Sequence, residues 1–220
     1  MGERKRIRLN GTQLKFIALV TMLIDHIGYV LFPEVTLLRI IGRLAFPLYC
    51  FLLAEGMAHT SNWKKYALRL FVFAVISEIP YDLITSNRMI DWSNQSVFLT
   101  LFMGLITMVL YDTKHFLGYI GIGFVVIFGN LLGVDYGSEG VLLAFILYVV
   151  RKDDIRWPAM VTIVWSLCYG GIQYWAMLSA IFMLLYNKER GWNPPALKYG
   201  FYAFYPVHLL VLYVIAMLIN

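Results

Sequence analysis

The sequence predicts an all-α, polytopic membrane bundle, and three observations carry that prediction. Of the 220 residues, 60% are hydrophobic and 14% charged, with a mean hydropathy of +0.71. A soluble domain carries about 25% charge, so this chain lacks the polar residues needed to cover a water-facing surface. The apolar residues fall in runs bounded by charge, Gly, Pro or Asn, with no long polar stretch between them, so residues 1–220 read as a single membrane domain with no soluble appendage. The basic residues keep to alternate loops, as the positive-inside rule requires.

Nine apolar segments follow in order. Residues 14–32 come after a basic leader. Asp25 and His26 interrupt the run and no small-residue cleavage site follows, so this is a retained helix and not a signal peptide. Residues 37–57 start past Pro33 and Glu34. Residues 66–85 start past Lys64 and Lys65 and contain Pro80, which bends a helix and frees backbone carbonyls. Residues 97–111 are opened by Asn94, Gln95 and Thr100 as candidate caps. The remaining segments are 116–132, 139–150, 158–170, 173–187 and 199–219. Several fall short of the ~20 residues a spanning helix needs, so the fourth through eighth admit re-entrant or half-spanning helices. Gly42, Gly56, Gly104, Gly121 and Gly123 offer places for close helix packing.

The charges set the orientation. With the N-terminus in the cytoplasm, Arg4, Lys5, Arg6, Arg8, Lys15, Lys64, Lys65, Lys114, Arg151, Lys152, Arg156, Lys188, Arg190 and Lys198 all lie inside. The other loops hold Glu34, Arg88, Asp91, Asp135 and Glu139. One orientation satisfies every loop and places the C-terminus outside. Trp63, Trp92, Trp157 and Trp192 fall near segment ends, as an aromatic belt requires. The formal charge of +5 is accounted for by this asymmetry, not by affinity for nucleic acid. Cys50 and Cys168 lie within apolar segments, without metal or disulfide spacing.

Ionisable residues inside spanning segments are expensive and mark sites or pathways. Asp25 and His26 lie roughly 10 Å below the outer end of the first helix at 1.5 Å per residue. Arg43, Glu78, Asp82 and His208 reach the same central-to-outer layer from three other segments. The plain reading is ion pairing between helices, Arg43 with Glu78 or Asp82. It explains His26 less well, because an imidazole beside a carboxylate can take and return a proton as a general base. Tyr205 and Pro206 beside His208 suggest a shaped, partly polar pocket. A second polar group, Glu55, His59, Lys64, Lys65 and Arg69, lies towards the cytoplasmic face. Glu55 and Arg69 are at matching depth for an ion pair. The group reads either as snorkelling anchors or as a basic entrance for the phosphates of a nucleotide-like donor. No phosphate loop, zinc signature or serine-hydrolase elbow is present in the sequence.

Several stretches together carry a resemblance. They are Leu14-Lys15-Phe16-Ile17-Ala18 leading to Met22-Leu23-Ile24-Asp25-His26-Ile27-Gly28, and Ile41-Gly42-Arg43-Leu44-Ala45-Phe46-Pro47 leading to Glu55-Gly56. His59-Thr60 follows, then Tyr66, Arg69-Leu70, Ser77-Glu78-Ile79-Pro80-Tyr81-Asp82 and finally Phe204-Tyr205-Pro206-Val207-His208-Leu209. The chain resembles the TraX family, named for a conjugative-plasmid protein that acetylates the N-terminus of pilin. That family is distantly similar to the membrane acyltransferase 3 group, which modifies cell-surface sugars. There a basic residue and a histidine are separated by ten intervening residues in the first helix, and Lys15 and His26 likewise have ten residues between them. This chain is shorter than the usual ten-helix members, and Lys stands where Arg is common.

The resemblance implies acetyl transfer from acetyl-CoA in a bacterial inner membrane, without a metal. The acceptor it implies is an amine or hydroxyl of a peptide, a glycan or a small molecule. His26 would be the base, polarised by Asp25 or Glu78, with Arg43, Asp82, His208 and Tyr205 on the substrate. Lys15, Glu55, His59, Lys64, Lys65 and Arg69 would form the donor entrance. The residues read without the resemblance also fit a proton-coupled transporter using the same buried layer, although no repeat or matched pair of broken helices is visible. They fit, too, a scaffold held by structural ion pairs.

Overall fold

Local chemistry sets where the first helix begins. Asn10 accepts from the backbone of Gln13 at 3.0 Å while the Gln13 side chain accepts from the backbone of Asn10 at 2.9 Å. This reciprocal cap starts α1, Gly11–Val30. In the computed structural model, which describes residues 8–152 and 154–219, the chain continues as α2 (Thr36–Gly42), α3 (Ala45–Ala58), α4 (Trp63–Thr85), α5 (Val97–Asp112), α6 (Phe116–Leu131), α7 (Gly137–Val150), α8 (Arg156–Tyr169), a 3-10 helix (Gly171–Leu178), α9 (Ser179–Leu184) and α10 (Pro195–Ile219). No strand occurs among the described residues, only two isolated bridges, Leu9 with Tyr186 and Gln95 with Val134. Arg4, Lys5 and Arg6, used above to set orientation, lie outside the described residues.

Three helical stretches are long and apolar enough to cross a membrane: Gly11–Val30, Thr36–Ala58 and Pro195–Ile219. The surface between the loops is greasy to match. Phe116, Leu117 and Leu131 of α6 are each 76% exposed, a disposition that water would penalise and lipid tails do not. The protein is an all-α membrane protein.

Two predicted segments are broken. The second divides at Arg43 and Leu44 into α2 and α3. Pro47 has no N–H to return to the Arg43 carbonyl, and the chain crosses the break on tighter bonds, Arg43 N–H to Ile40 O and Leu44 N–H to Ile41 O. The eighth runs as a 3-10 helix before α9. At about 2.0 Å per residue, that form reaches further than an α-helix of equal length.

The buried stripe of α1, Leu14, Ala18, Thr21, Met22, Asp25 and Gly28, follows the helical period. It joins a core that takes in Leu48 and Phe51 of α3, Leu105 and Met108 of α5, Leu143 and Leu147 of α7, and Leu209 of α10. Glycines leave room for side chains of facing helices where close packing is predicted at Gly42, Gly56 and Gly104: Asp25 fills the space at Gly42, Tyr66 that at Gly56, and a Cβ on Gly104 would stand 2.8 Å from the Ala144 Cβ. Gly123 faces open space instead. Thr100 does not cap α5. Its hydroxyl donates to the Asp135 carbonyl and ties α5 to the α6–α7 turn.

The loops gather at two ends of the bundle. At one, the segment after α9 lies over the start of α1, with Leu9 N–H donating to Leu185 O at 2.8 Å and Gly11 N–H to Glu189 O at 2.7 Å. The end of α3 joins this cluster through Tyr186, whose hydroxyl is 3.2 Å from Glu55 Oε2. At the other end, Gln95 N–H donates to Gly133 O and Asp135 N–H to Gln95 O, both at 2.9 Å. A cavity opens at each end.

Candidate functional site

The smaller cavity, about 240 Å³, is bordered by Asp25, His26 and Tyr29 of α1, Arg39 of α2, Arg43, Tyr81 of α4, the Asp135–Tyr136 turn and Tyr205 of α10. Asp25 sits on the buried stripe of α1 and takes two guanidinium partners. Arg39 Nη1 donates to Asp25 Oδ2 at 2.7 Å, and Arg43 Nη2 forms a close ion pair with the same carboxylate. The Arg43 Nε also donates to the Arg39 carbonyl at 3.2 Å. This arrangement depends on Gly42, because a Cβ there would occupy the space of the Asp25 side chain. Two cations therefore share one fully engaged carboxylate beside the cavity. Asp135 is the second acid near Arg43. It lies in the turn outside the helices, where burial pushes its carboxyl up to about 6 although Arg43 pulls the other way. Tyr136 beside it holds a left-handed backbone, φ +64°, and stacks on Phe46 at 3.7 Å. Such a conformation costs a non-glycine residue energy and needs surrounding contacts to persist.

His26 points elsewhere. Its Nδ1 lies 2.8 Å from Nε2 of His208 on α10, and the His208 Nδ1 lies 2.7 Å from the Phe204 carbonyl oxygen. A carbonyl only accepts, so His208 Nδ1 carries the proton. With both rings neutral, His208 Nε2 must then accept and His26 Nδ1 must donate. The His26 Nε2 is left with a free lone pair, and His26 lines the cavity. Tyr205 packs edge-on against His26, ring centres 6.0 Å apart. The chemical result is a base whose tautomer is fixed by a second histidine, which is itself fixed by a backbone carbonyl.

This geometry corrects several expectations. His26 is oriented by His208, not by Asp25 or Glu78. Arg43 pairs with Asp25, not with Glu78 or Asp82. Glu78 accepts from the Ser96 hydroxyl at 2.7 Å and from its backbone at 3.1 Å, which ties α4 to the start of α5. Asp82 accepts from Asp91 N–H at 2.8 Å. Neither carboxylate borders the cavity; Tyr81, Ile84 and Thr85 of the same helix do. Arg39 is a cavity residue not singled out from the sequence, where the available signal is its place one helical turn before Arg43, on the same face. Asp135 read as a loop charge, and no local pattern marks it as a cavity group.

The larger cavity, about 570 Å³, opens at the opposite end. Lys15, Glu55, His59 and Arg69 line it as expected. Lys64 and Lys65 do not: both are exposed on the first turn of α4. Their place is taken by Lys188 and Arg190, brought in by the segment between α9 and α10, and by Lys198 near the start of α10. Glu55 pairs with the Tyr186 hydroxyl and not with Arg69, whose guanidinium lies 5.4 Å from the Tyr66 ring centre. Five Lys and Arg side chains thus surround one glutamate, a setting for phosphate groups. Lys188, Arg190 and Lys198 were legible only as topology charges. Their convergence with Lys15 needs the contact between residues 185–190 and the start of α1.

Comparison with known proteins places this arrangement. The family model described as "TraX protein" matches residues 10–216. A protein of Dichelobacter nodosus named "Probable fimbrial assembly protein FimC, serogroup H1" is 28% identical over 240 aligned positions, covering 94% of this chain and 96% of its own length. "Uncharacterized protein RP591" of Rickettsia prowazekii is 27% identical over 147 positions, covering 64% of this chain and 55% of its own. No solved structure matches the chain significantly.

Proposed function

The chain belongs to the TraX family, and from that premise we propose that it is an inner-membrane acyltransferase. In this reading it moves an acetyl group from acetyl-CoA to an amine or hydroxyl of a peptide or cell-surface acceptor. The observation that carries the reading is the His26–His208 pair, 2.8 Å apart, which engages His26 through Nδ1 and leaves the Nε2 lone pair of this cavity-lining residue free to accept. A D. nodosus relative named for fimbrial assembly favours a pilin-type peptide among the possible acceptors. With nine crossings and the N-terminus in the cytoplasm, the orientation that the loop charges favour, the basic cavity would face the inside, where CoA is made, and the histidine cavity the outer side.

The phosphates of CoA would rest on Lys15, Arg69, Lys188, Arg190 and Lys198, and its thioester arm would extend towards His26. The acceptor nitrogen or oxygen attacks the thioester carbonyl carbon as His26 Nε2 takes its proton. The imidazolium is stabilised by donating Nδ1–H to His208. Negative charge developing on the carbonyl oxygen faces the Arg39 and Arg43 guanidiniums, which Asp25 holds beside the cavity. The carbon–sulfur bond then breaks, and the CoA thiolate recovers the proton from His26. Asp25 holds the two arginines in place; it does not polarise the base.

The first test is the unfolding midpoint of the purified protein with and without acetyl-CoA. A ligand that binds only the folded form at 100 times its Kd adds about 2.7 kcal/mol. A saturable upshift that adenosine diphosphate does not match is expected, with CoA release in the presence of a pilin N-terminal peptide. His26→Ala should keep the upshift and lose roughly 10²- to 10⁴-fold in turnover. No shift at millimolar acetyl-CoA, or wild-type turnover by His26→Ala, would sink the reading.

A further inference from the structure

The two cavities come within one side chain of each other. Among the described residues, Tyr49 alone borders both. On α3, Phe46 lies one turn away on the histidine side and Leu52 one turn away on the basic side. The same division runs through the helices opposite: Val97 of α5 and Tyr205 of α10 face the histidine cavity, Phe98 and Tyr202 the basic one. The α3 backbone at this point is anchored, since Leu48 and Cys50 on either side of Tyr49 are fully buried. Tyr49 itself is half-buried and lines both spaces. Lys15 and His26, eleven residues apart on α1, mark the far walls and are separated by about 16 Å along the axis.

We infer that Tyr49 is the gate between the two cavities. Its ring closes the passage at rest, and the acyl-bearing arm of a donor held at the basic end reaches His26 only by displacing that ring. What passes is taken from the acyl-transfer reading; the closure rests on the cavity walls alone. A closed ring serves two purposes. It keeps water of the basic cavity from the thioester, and it keeps two water-accessible spaces at opposite ends of the bundle from joining into a leak across the membrane.

The experiment uses the full chain in liposomes loaded with a pH-sensitive dye. After an external pH jump, Tyr49→Ala is expected to conduct protons at least about tenfold faster than wild type, while Tyr49→Phe, which keeps the ring, stays at the wild-type rate. Should the alanine variant fail to fold, Tyr49→Leu opens the same gap with less loss of volume. In parallel, Tyr49→Trp should retain the acetyl-CoA upshift in unfolding midpoint and lose at least about tenfold in transfer, because donor binding lies on one side of the ring and chemistry on the other. An unchanged leak in the folded Ala or Leu variant, or wild-type transfer by Tyr49→Trp, overturns the gate. Absence of any acetyl-CoA upshift in wild type defeats the acyl-transfer reading instead, and the leak measurement still decides the gate.

Discussion

Asp25 and His26 are adjacent in the chain, and successive side chains leave a helix about 100° apart. That angle separates their work. Asp25 turns onto α2 and meets Arg39 and Arg43, whereas His26 turns onto α10 and meets His208. In the proposed acyl transfer, the pairing makes His208 a positioning residue whose contribution is an acceptor nitrogen at a fixed place. His208→Leu removes the acceptor and should lower CoA release by about 10²-fold or more, by analogy with the loss of an orienting partner in a catalytic triad. His208→Gln, which offers a carbonyl oxygen near the same point, should stay within about tenfold of wild type. If His208 only fills space, the two variants will lose activity in step with their loss of unfolding midpoint, and the glutamine will show no advantage.

At the scale of elements, the division of the second segment is what aims two arginines at one carboxylate. Arg39 lies inside α2 and Arg43 at its end, and the turn ahead of Pro47 lets α3 leave in a new register. Gly42 permits the approach of α1, with the Asp25 side chain lying where a Cβ would be. Gly42→Ala must push the helices apart or displace the carboxylate. It should cost about 1–3 kcal/mol by overpacking, read as a lowered unfolding midpoint, whereas Gly123→Ala on the open face of α6 should cost nothing. Equal midpoints for the two variants would mean that α1 and α2 adjust freely. The 3-10 helix before α9 serves a different end, lengthening a short segment so that the chain beyond it delivers Tyr186, Lys188 and Arg190 to the basic cavity.

For the molecule as a whole, the two cavities lie at opposite ends and differ in chemistry. One is rimmed by lysines and arginines. In the other, Asp25 and Asp135 offset Arg39 and Arg43 beside a paired histidine. Such polarity suits a reaction whose donor and acceptor occupy different compartments. The proposed orientation, with the N-terminus in the cytoplasm and nine crossings, puts the two termini on opposite sides of the membrane. An alkaline phosphatase domain fused after residue 220 should therefore be active, and one fused in the segment 151–156 inactive. Activity at the second position and none at the first would invert the proposed orientation and place the basic cavity outside the cell.

The sequence by itself determined the membrane class, the helical segments to within a few residues, the alternating charge of the loops and the prominence of Asp25, His26, Arg43 and His208. These follow from hydropathy, from turn residues and from the cost of burying charge, all of which are local quantities. Only the tertiary structure decided the partners. That Glu78 serves Ser96, that His208 and not a carboxylate orients His26, that Arg39 joins Arg43, and that residues 188–198 replace Lys64 and Lys65 at the basic cavity all depend on helix rotation and on contacts between different helices, for His26 and His208 across 182 residues. A rotation of one residue about a helix axis exchanges one set of partners for another while leaving hydropathy and charge pattern untouched, and for that reason no local pattern could have chosen between them.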